Sequence, residues 1–142
     1  TRAAADRGLP IVVDAGSHKP VFDGLFVLAS DVLCSADYLH PGGLDASALL
    51  GLGPQLVAVS HGADPLQWWT ATGTGQVIPP AIEAADTLGA GDVLHGAYAH
   101  ALAEGAGREA ALEAAVRAAT VRVAHRGPLD WRRALGRPCQ QA

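Results

Sequence analysis

Short apolar runs without alternation recur through the first half of the chain, and long Ala-rich runs with helical spacing fill the last third. Residues 1 to 7 are Ala-rich, Gly8 supplies a C-cap, and Pro10 leads into the β-branched run Ile11, Val12, Val13. Helix, turn and strand are expected there in that order. Residues 31 to 35 and 56 to 60 carry short unalternating apolar runs, Val32 to Cys34 and Leu56 to Val59, the pattern of strands buried on both faces of a parallel sheet. Between them, DASALLGLG predicts a short helix beginning at Asp45 and stopped by glycine. Farther on, LQWWTA and GQVIPP flank Thr72, Gly73, Thr74 and Gly75, which predicts a hairpin on the sheet edge with those four residues as its turn. Residues 90 to 103 and 108 to 124 predict two helices split by a Gly-containing turn. Strands followed by helices on short loops make an α/β layered fold, a mostly parallel sheet with flanking helices and an edge hairpin.

At 142 residues and 49% hydrophobic composition the chain fits a single packed domain, residues 1 to 142, with no internal repeat or long linker. A net charge of -4 with ten scattered Lys and Arg residues leaves no basic footprint, so nucleic acid is not expected as a partner. No apolar run reaches the roughly 20 residues that span a bilayer, and no signal-peptide pattern opens the chain. No membrane partner and a cytoplasmic location are therefore expected. Cys34, in a strand-like run, and Cys139, in the tail, form neither a metal spacing nor a disulfide framework. The chain has no Met, and TRAAADRGLP reads like the end of a helix already under way, so further residues are expected upstream.

The stretch that carries chemistry is Asp86-Thr87-Leu88-Gly89-Ala90-Gly91-Asp92, which runs into the apolar helix VLHGAYAHAL. Two glycines and an alanine at a helix start leave backbone N–H groups bare to an anion, which the helix dipole also favours. Asp92 beside such a cradle would repel a bound phosphate, and a general base is one reason for its presence: it can accept the proton of an attacking hydroxyl. A plainer reading is also open. Asp86 and Thr87 can be capping residues, Gly89 and Gly91 can serve a tight turn, and Asp92 can sit in the first turn for its dipole benefit.

The whole string resembles the second signature, DTxGAGD, of the ribokinase-like (PfkB) carbohydrate kinases, with Leu88 at the free position. That resemblance implies the nucleotide-binding, C-terminal half of such a kinase, with a partial ribokinase-like fold and ATP-dependent phosphoryl transfer to a sugar or sugar-like molecule. It makes Asp92 the catalytic base and the amides of Gly89, Ala90, Gly91 and Asp92 the anion hole. Mg²⁺ would accompany ATP, and the backbone near Asp86 and Leu88 would help hold a monovalent cation such as K⁺ in those members that use one. Thr87 belongs to the same nucleotide-side loop. IVVDAGS resembles the family strand ending in Asp, and LVAVSHGADP resembles the strand and loop written TxGxxG, which brings Ser60 and Gly62 to the nucleotide. VAHRGP resembles the late loop near the adenine and cation sites, which adds His125 and Gly127. A homodimer of the full-length form is the implied assembly. The family's first half, with its sugar-binding residues and lid, has no counterpart in these residues, so the acceptor sugar is left unnamed.

The chain departs from the family pattern in two places. Ser35-Ala36-Asp37-Tyr38 stands where many members carry Asn-x-x-Glu, a motif linked to magnesium; its Ser-x-Asp resembles the ketohexokinase branch. Pro65 replaces the last glycine of TxGxxG. His95 and His100 are about 140° apart on a helix and suit no shared metal, so no protein metal site is expected. His61 and His125 fall in loops by the nucleotide, where a solvated histidine is the commoner case. Trp68 and Trp69 face opposite sides of their strand, and Arg122, Arg126, Arg132 and Arg133 are expected to decorate a helical surface. The alternative function is a nucleotide-binding fragment or interaction module without catalysis. A dinucleotide-binding Rossmann domain is disfavoured, since no GxGxxG follows the first strand.

Overall fold

The computed structural model describes residues 1–127 and 129–135; Cys139, and Pro128 of the VAHRGP segment, lie outside the described residues. The elements in chain order are α1 (Arg2–Ala5), β1 (Val12–Ala15), α2 (Phe22–Phe26), β2 (Asp31–Ser35), a 3₁₀ turn (Ala48–Leu52), β3 (Leu56–His61), β4 (Asp64–Thr70), β5 (Gly73–Val77), α3 (Ala90–Ala103), α4 (Arg108–Val123) and α5 (Trp131–Leu135). They form two compact units, Thr1–Ile78 and Pro79–Ala142.

The first unit is built on one five-stranded sheet in the order β1-β2-β3-β4-β5. β1, β2 and β3 are parallel, and β4 and β5 continue the sheet antiparallel. The register explains the unalternating sequence. Val13, Val32 and Val57 form one rung, and Ala15, Cys34 and Val59 the next. All six are buried, packed with Phe22 and Phe26 of α2 and Leu49 of the 3₁₀ turn. The neighbours Leu33, Leu56 and Ala58 are also buried, so β2 and β3 tolerate apolar side chains on both faces. Each buried Val or Leu among them contributes about 1.5–3 kcal/mol relative to exposure. Burial, and secondarily the charge of Asp14, pushes the Cys34 thiol up to about 12, which makes it an inert packing residue rather than a nucleophile.

Two local expectations are corrected. The helix expected from Asp45 is only the 3₁₀ turn Ala48–Leu52. The Asp45 carboxylate does cap it, accepting from the Ser47 hydroxyl at 2.7 Å and the Ala48 N–H at 2.8 Å, but Gly53, at φ +136°, and Pro54 stop it within a turn. The hairpin turn is also shorter than expected: Thr70 pairs with Gly73, which leaves Ala71 and Thr72 as the whole connection. Gly73, Thr74 and Gly75 belong to β5, where Thr74 donates its hydroxyl to the Trp68 carbonyl at 2.7 Å.

Trp68 and Trp69 do take opposite faces. Trp69 packs against the core cluster, while the Trp68 ring lies over Gly75, where an added Cβ would come within 2.5 Å of it.

The second unit is a helical hairpin with α5 packed on α4. α3 closes at Gly105, φ +88°, across which Ala106 donates its N–H to the Ala101 carbonyl at 3.0 Å, and the chain reverses into α4. α4 buries Ala111, Leu112, Ala115, Val116, Ala118 and Arg122, a stripe at helical spacing. No helix among the described residues is long and apolar enough to cross a membrane.

Because the Trp68 ring fills the space above Gly75, Gly75→Val is expected to destabilise the protein by about 1–3 kcal/mol in urea unfolding, the range for overpacking. A loss indistinguishable from zero would contradict this packing.

Candidate functional site

The first unit holds Ser60 and Gly62. Ser60 lies near the C-terminal end of β3, opposite Ser35 of β2. It accepts the Ala36 N–H at 3.0 Å on its carbonyl and directs its hydroxyl to the Cys34 carbonyl at 3.4 Å. Ser35 in turn donates its hydroxyl to the Gly16 carbonyl at 3.0 Å, so the C-terminal ends of the three parallel strands are laced together. His61 pairs directly with Asp64, which makes Gly62 and Ala63 a two-residue turn. Gly62 has φ +66° and Ala63 no positive φ, the glycine-first pattern of a II′ hairpin. Pro65 sits where the β3–β4 register shifts, a place where a missing N–H is tolerated. Beside this edge a cleft of about 650 Å³ opens, lined by residues that include Tyr38, His40, Asp45, His61, Gln67 and Trp69.

The second unit holds the Asp86–Asp92 string. Residues 79 to 89 contain no regular element before α3, and their backbone is fixed by the end of α4. The Val123 carbonyl accepts the N–H groups of Ala85 at 2.9 Å and Asp86 at 3.2 Å. The side chain of Asp86 then folds onto its own loop, accepting the Leu88 N–H at 3.0 Å on Oδ1. Its other oxygen, Oδ2, accepts from the Arg122 guanidinium at 2.8 Å. The same guanidinium donates through its second nitrogen to the His125 carbonyl at 2.9 Å and to the Asp86 carbonyl at 3.4 Å.

Arg122 is 3% exposed. This corrects the expectation of a surface arginine: position 122 continues the buried stripe of α4, and the spacing 111, 115, 118, 122 was the signal that marked it. Arg126, Arg132 and Arg133 are exposed as expected.

The Arg122 guanidinium, joined by the N–H groups of Leu88 and Gly127, holds the Asp86 carboxyl below the usual carboxylate range. Gly127, at φ +81°, is thereby drawn to the loop, and His125 comes with it. A carbonyl can only accept, so the contact of 2.8 Å between His125 Nδ1 and the Val121 carbonyl puts the proton on Nδ1.

Gly89 is the N-cap of α3, at φ +73° and ψ +12°, a left-handed conformation that costs a side-chain-bearing residue energy. Its carbonyl accepts the Val93 N–H at 3.0 Å, and the Ala90 N–H is already given to the Thr87 carbonyl at 3.2 Å. The N–H groups of Gly89, Gly91 and Asp92 make no hydrogen bond among the described residues. Three donors at the positive end of a 14-residue helix thus point to no protein acceptor.

Asp92 is exposed, and its Oδ2 lies 3.7 Å from where a Cβ on Gly89 would sit, beside the donors. Gly91 has open space where a Cβ would be. Thr87 is exposed, and Leu88 stands 79% exposed at the rim. His95 is half-buried, with its Nδ1 unpaired. No group of three or more His, Cys, Asp or Glu side chains gathers to hold a metal among the described residues.

Asp86 contributes stability through its ionised form. Its folded value lies below the unfolded value of about 3.9, so the contribution is complete above that value and is lost as pH falls through the folded one. Asp86→Asn is expected to lower the melting temperature at neutral pH, with the gap to the wild type closing as pH is taken below about 3.9. A gap that stays constant with pH would contradict the ion pair.

The chain matches the pfkB family carbohydrate kinases over residues 44–131. A ribokinase of Bacillus subtilis (strain 168) is 32% identical over 126 residues, covering 81% of this chain and 40% of the relative. Among solved structures, ribokinase from Thermotoga maritima superposes with a TM-score of 0.78 at 23% identity, covering 88% of this chain and 46% of that one. Ribokinase from Arabidopsis thaliana, complexed with ribose and ATP, gives 0.76 at 23% identity, covering 92% and 46%. These likenesses show the ribokinase-like layered fold. The chain spans 40% of the length of the curated relative it matches. The matched residues take in β3, β4, β5, α3, α4 and the entire Asp86–Asp92 string, and the chain belongs to the pfkB family of carbohydrate kinases.

Proposed function

We propose that the protein transfers the γ-phosphoryl group of ATP to a hydroxyl of a sugar or sugar-like small molecule. The observation that carries this reading is the set of unpaired N–H groups on Gly89, Gly91 and Asp92, with the Asp92 carboxylate beside them. Phosphoryl transfer asks for donors where negative charge develops and for a carboxylate within reach of the attacking hydroxyl. Asp92 is the general base, accepting the hydroxyl proton as the oxygen attacks phosphorus. Gly89, Gly91 and Asp92 supply the anion hole, and Ala90 joins it by releasing its 3.2 Å bond to Thr87. Asp86, Thr87 and Leu88 hold the loop that presents these amides, and His125 and Gly127 line its adenine side. The family resemblance adds Ser60 and Gly62 of the first unit to the nucleotide-side residues.

Mg²⁺ bound with the nucleotide would supply charge neutralisation for the phosphoryl group being transferred. The Ser35 hydroxyl is given to Gly16, and Asp37 is exposed, so Asp37 is the side chain in that segment free to reach a nucleotide-bound ion. The same reading places the protein in the cytoplasm, where ATP is abundant, as a homodimer.

The alternative, a module that binds the nucleotide without turnover, is separated from this one by two variants. Asp92→Asn is expected to lower kcat by roughly 10²–10⁴, the usual worth of a positioned general base, with affinity for a non-hydrolysable ATP analogue nearly unchanged. Gly91→Leu, which meets no protein atom within 4 Å at its Cβ, is expected to fold and to lose that affinity. An Asp92→Asn enzyme that keeps most of its kcat would remove Asp92 from the mechanism, and a wild-type protein that binds the analogue without phosphorylating any sugar would favour the module.

A further inference from the structure

We infer that the cation belonging to the Asp86 loop is part of the chain: the guanidinium of Arg122 takes the place of a monovalent metal ion, so the kinase proposed above works without K⁺. This rests on that proposed activity for its catalytic consequence, and on the geometry of the second unit for the site itself.

The resemblance implies a monovalent cation near Asp86 and Leu88, and such an ion is held by converging carbonyl and carboxylate oxygens. The loop does gather oxygens of that kind: Asp86 Oδ2, the Asp86 carbonyl and the His125 carbonyl. All three turn toward one guanidinium, at 2.8, 3.4 and 2.9 Å. A metal ion drawn to them would meet a fixed positive charge at contact distance. Arginine stays protonated at any pH the fold survives, so that charge cannot be shed to admit the ion. Nor can the side chain easily swing away, since it is 3% exposed and leaves α4 from within a buried stripe.

The position also suits a cation for a second reason. Arg122 lies in the last turn of α4, where the helix dipole favours positive charge. The residues therefore do not fit a resident K⁺, and what they do fit is already present. Arg122 acts as a positioning residue: it touches no reacting atom and holds Asp86, hence Leu88 and the start of α3, where the bare amides face an anion.

The test uses the protein as encoded, at constant ionic strength in KCl, NaCl and tetramethylammonium chloride. Any ion that binds the folded state raises its melting temperature; the wild-type melting temperature is expected to be the same in all three salts, and a rise specific to K⁺ overturns the inference. Affinity for Mg²⁺ and a non-hydrolysable ATP analogue is expected to agree within about twofold across the salts, and a larger K⁺-specific gain likewise overturns it.

Arg122→Ala is expected to lose about tenfold or more in analogue affinity, recovered in part by K⁺ or guanidinium ion. Loss without recovery marks a purely structural arginine and overturns the inference. Should the variant fail to fold, the wild-type salt comparison decides. Should the wild type bind no nucleotide in any salt, the kinase reading fails, and the melting comparison still decides the cation question.

Discussion

The ion pair between Asp86 and Arg122 is the constraint on which the candidate site depends. The segment ahead of α3 has no helix or strand to hold it, yet it must end with a glycine in a left-handed conformation and amides open to solvent. Arg122 fixes Asp86 from the side, the Val123 carbonyl fixes it from the backbone, and Asp86 passes the constraint to Leu88 and Gly127. A buried arginine with one partner missing is costly. The pair therefore acts as an all-or-none clasp between two stretches 36 residues apart in sequence. With the clasp shut, the donors at the start of α3 are preorganised, which is what electrostatic catalysis requires.

The first unit follows a different economy. Its core is a ladder of mostly aliphatic rungs across three parallel strands, whose C-terminal ends are the place where open α/β sheets ordinarily put ligands. The connection from β2 to β3 contains only one 3₁₀ turn, where parallel crossovers ordinarily carry an α-helix. The cleft of about 650 Å³ lies against this connection. The Ser60 and Ser35 hydroxyls are spent on lacing strand ends, and the turn at Gly62 closes in two residues.

Much of this was legible in the sequence, for physical reasons. Strands buried on both faces leave continuous apolar runs, so β2 and β3 could be read almost to the residue. Helices with Gly-marked ends gave α3 and α4 their bounds, and DTLGAGD pointed to the start of α3 because its glycines suit both a tight turn and an anion cradle. The 3₁₀ turn was overread because capping at Asp45 is a local signal, whereas the stop at Gly53 depends on how the chain passes Phe26 and Val27, whose backbone atoms lie within 3.3 Å of a Cβ placed there. The hairpin turn was overread because glycine usually marks a turn, while Gly75 is there to admit the Trp68 ring, a cross-strand contact that composition does not reveal. Arg122 was missed because an arginine in an Ala-rich helix usually faces water. Its partner lies in another segment, and only the spacing of the buried stripe gave it away.

The most direct test of the central claim, that bare amides at the start of α3 receive nucleotide phosphate, is a titration of the ¹⁵N-labelled protein with Mg²⁺ and a non-hydrolysable ATP analogue, followed by amide chemical shifts. The account predicts saturable shifts at Gly89, Gly91 and Asp92, with the β1 to β2 core rungs unmoved. Saturable binding that leaves those three amides unshifted would contradict it.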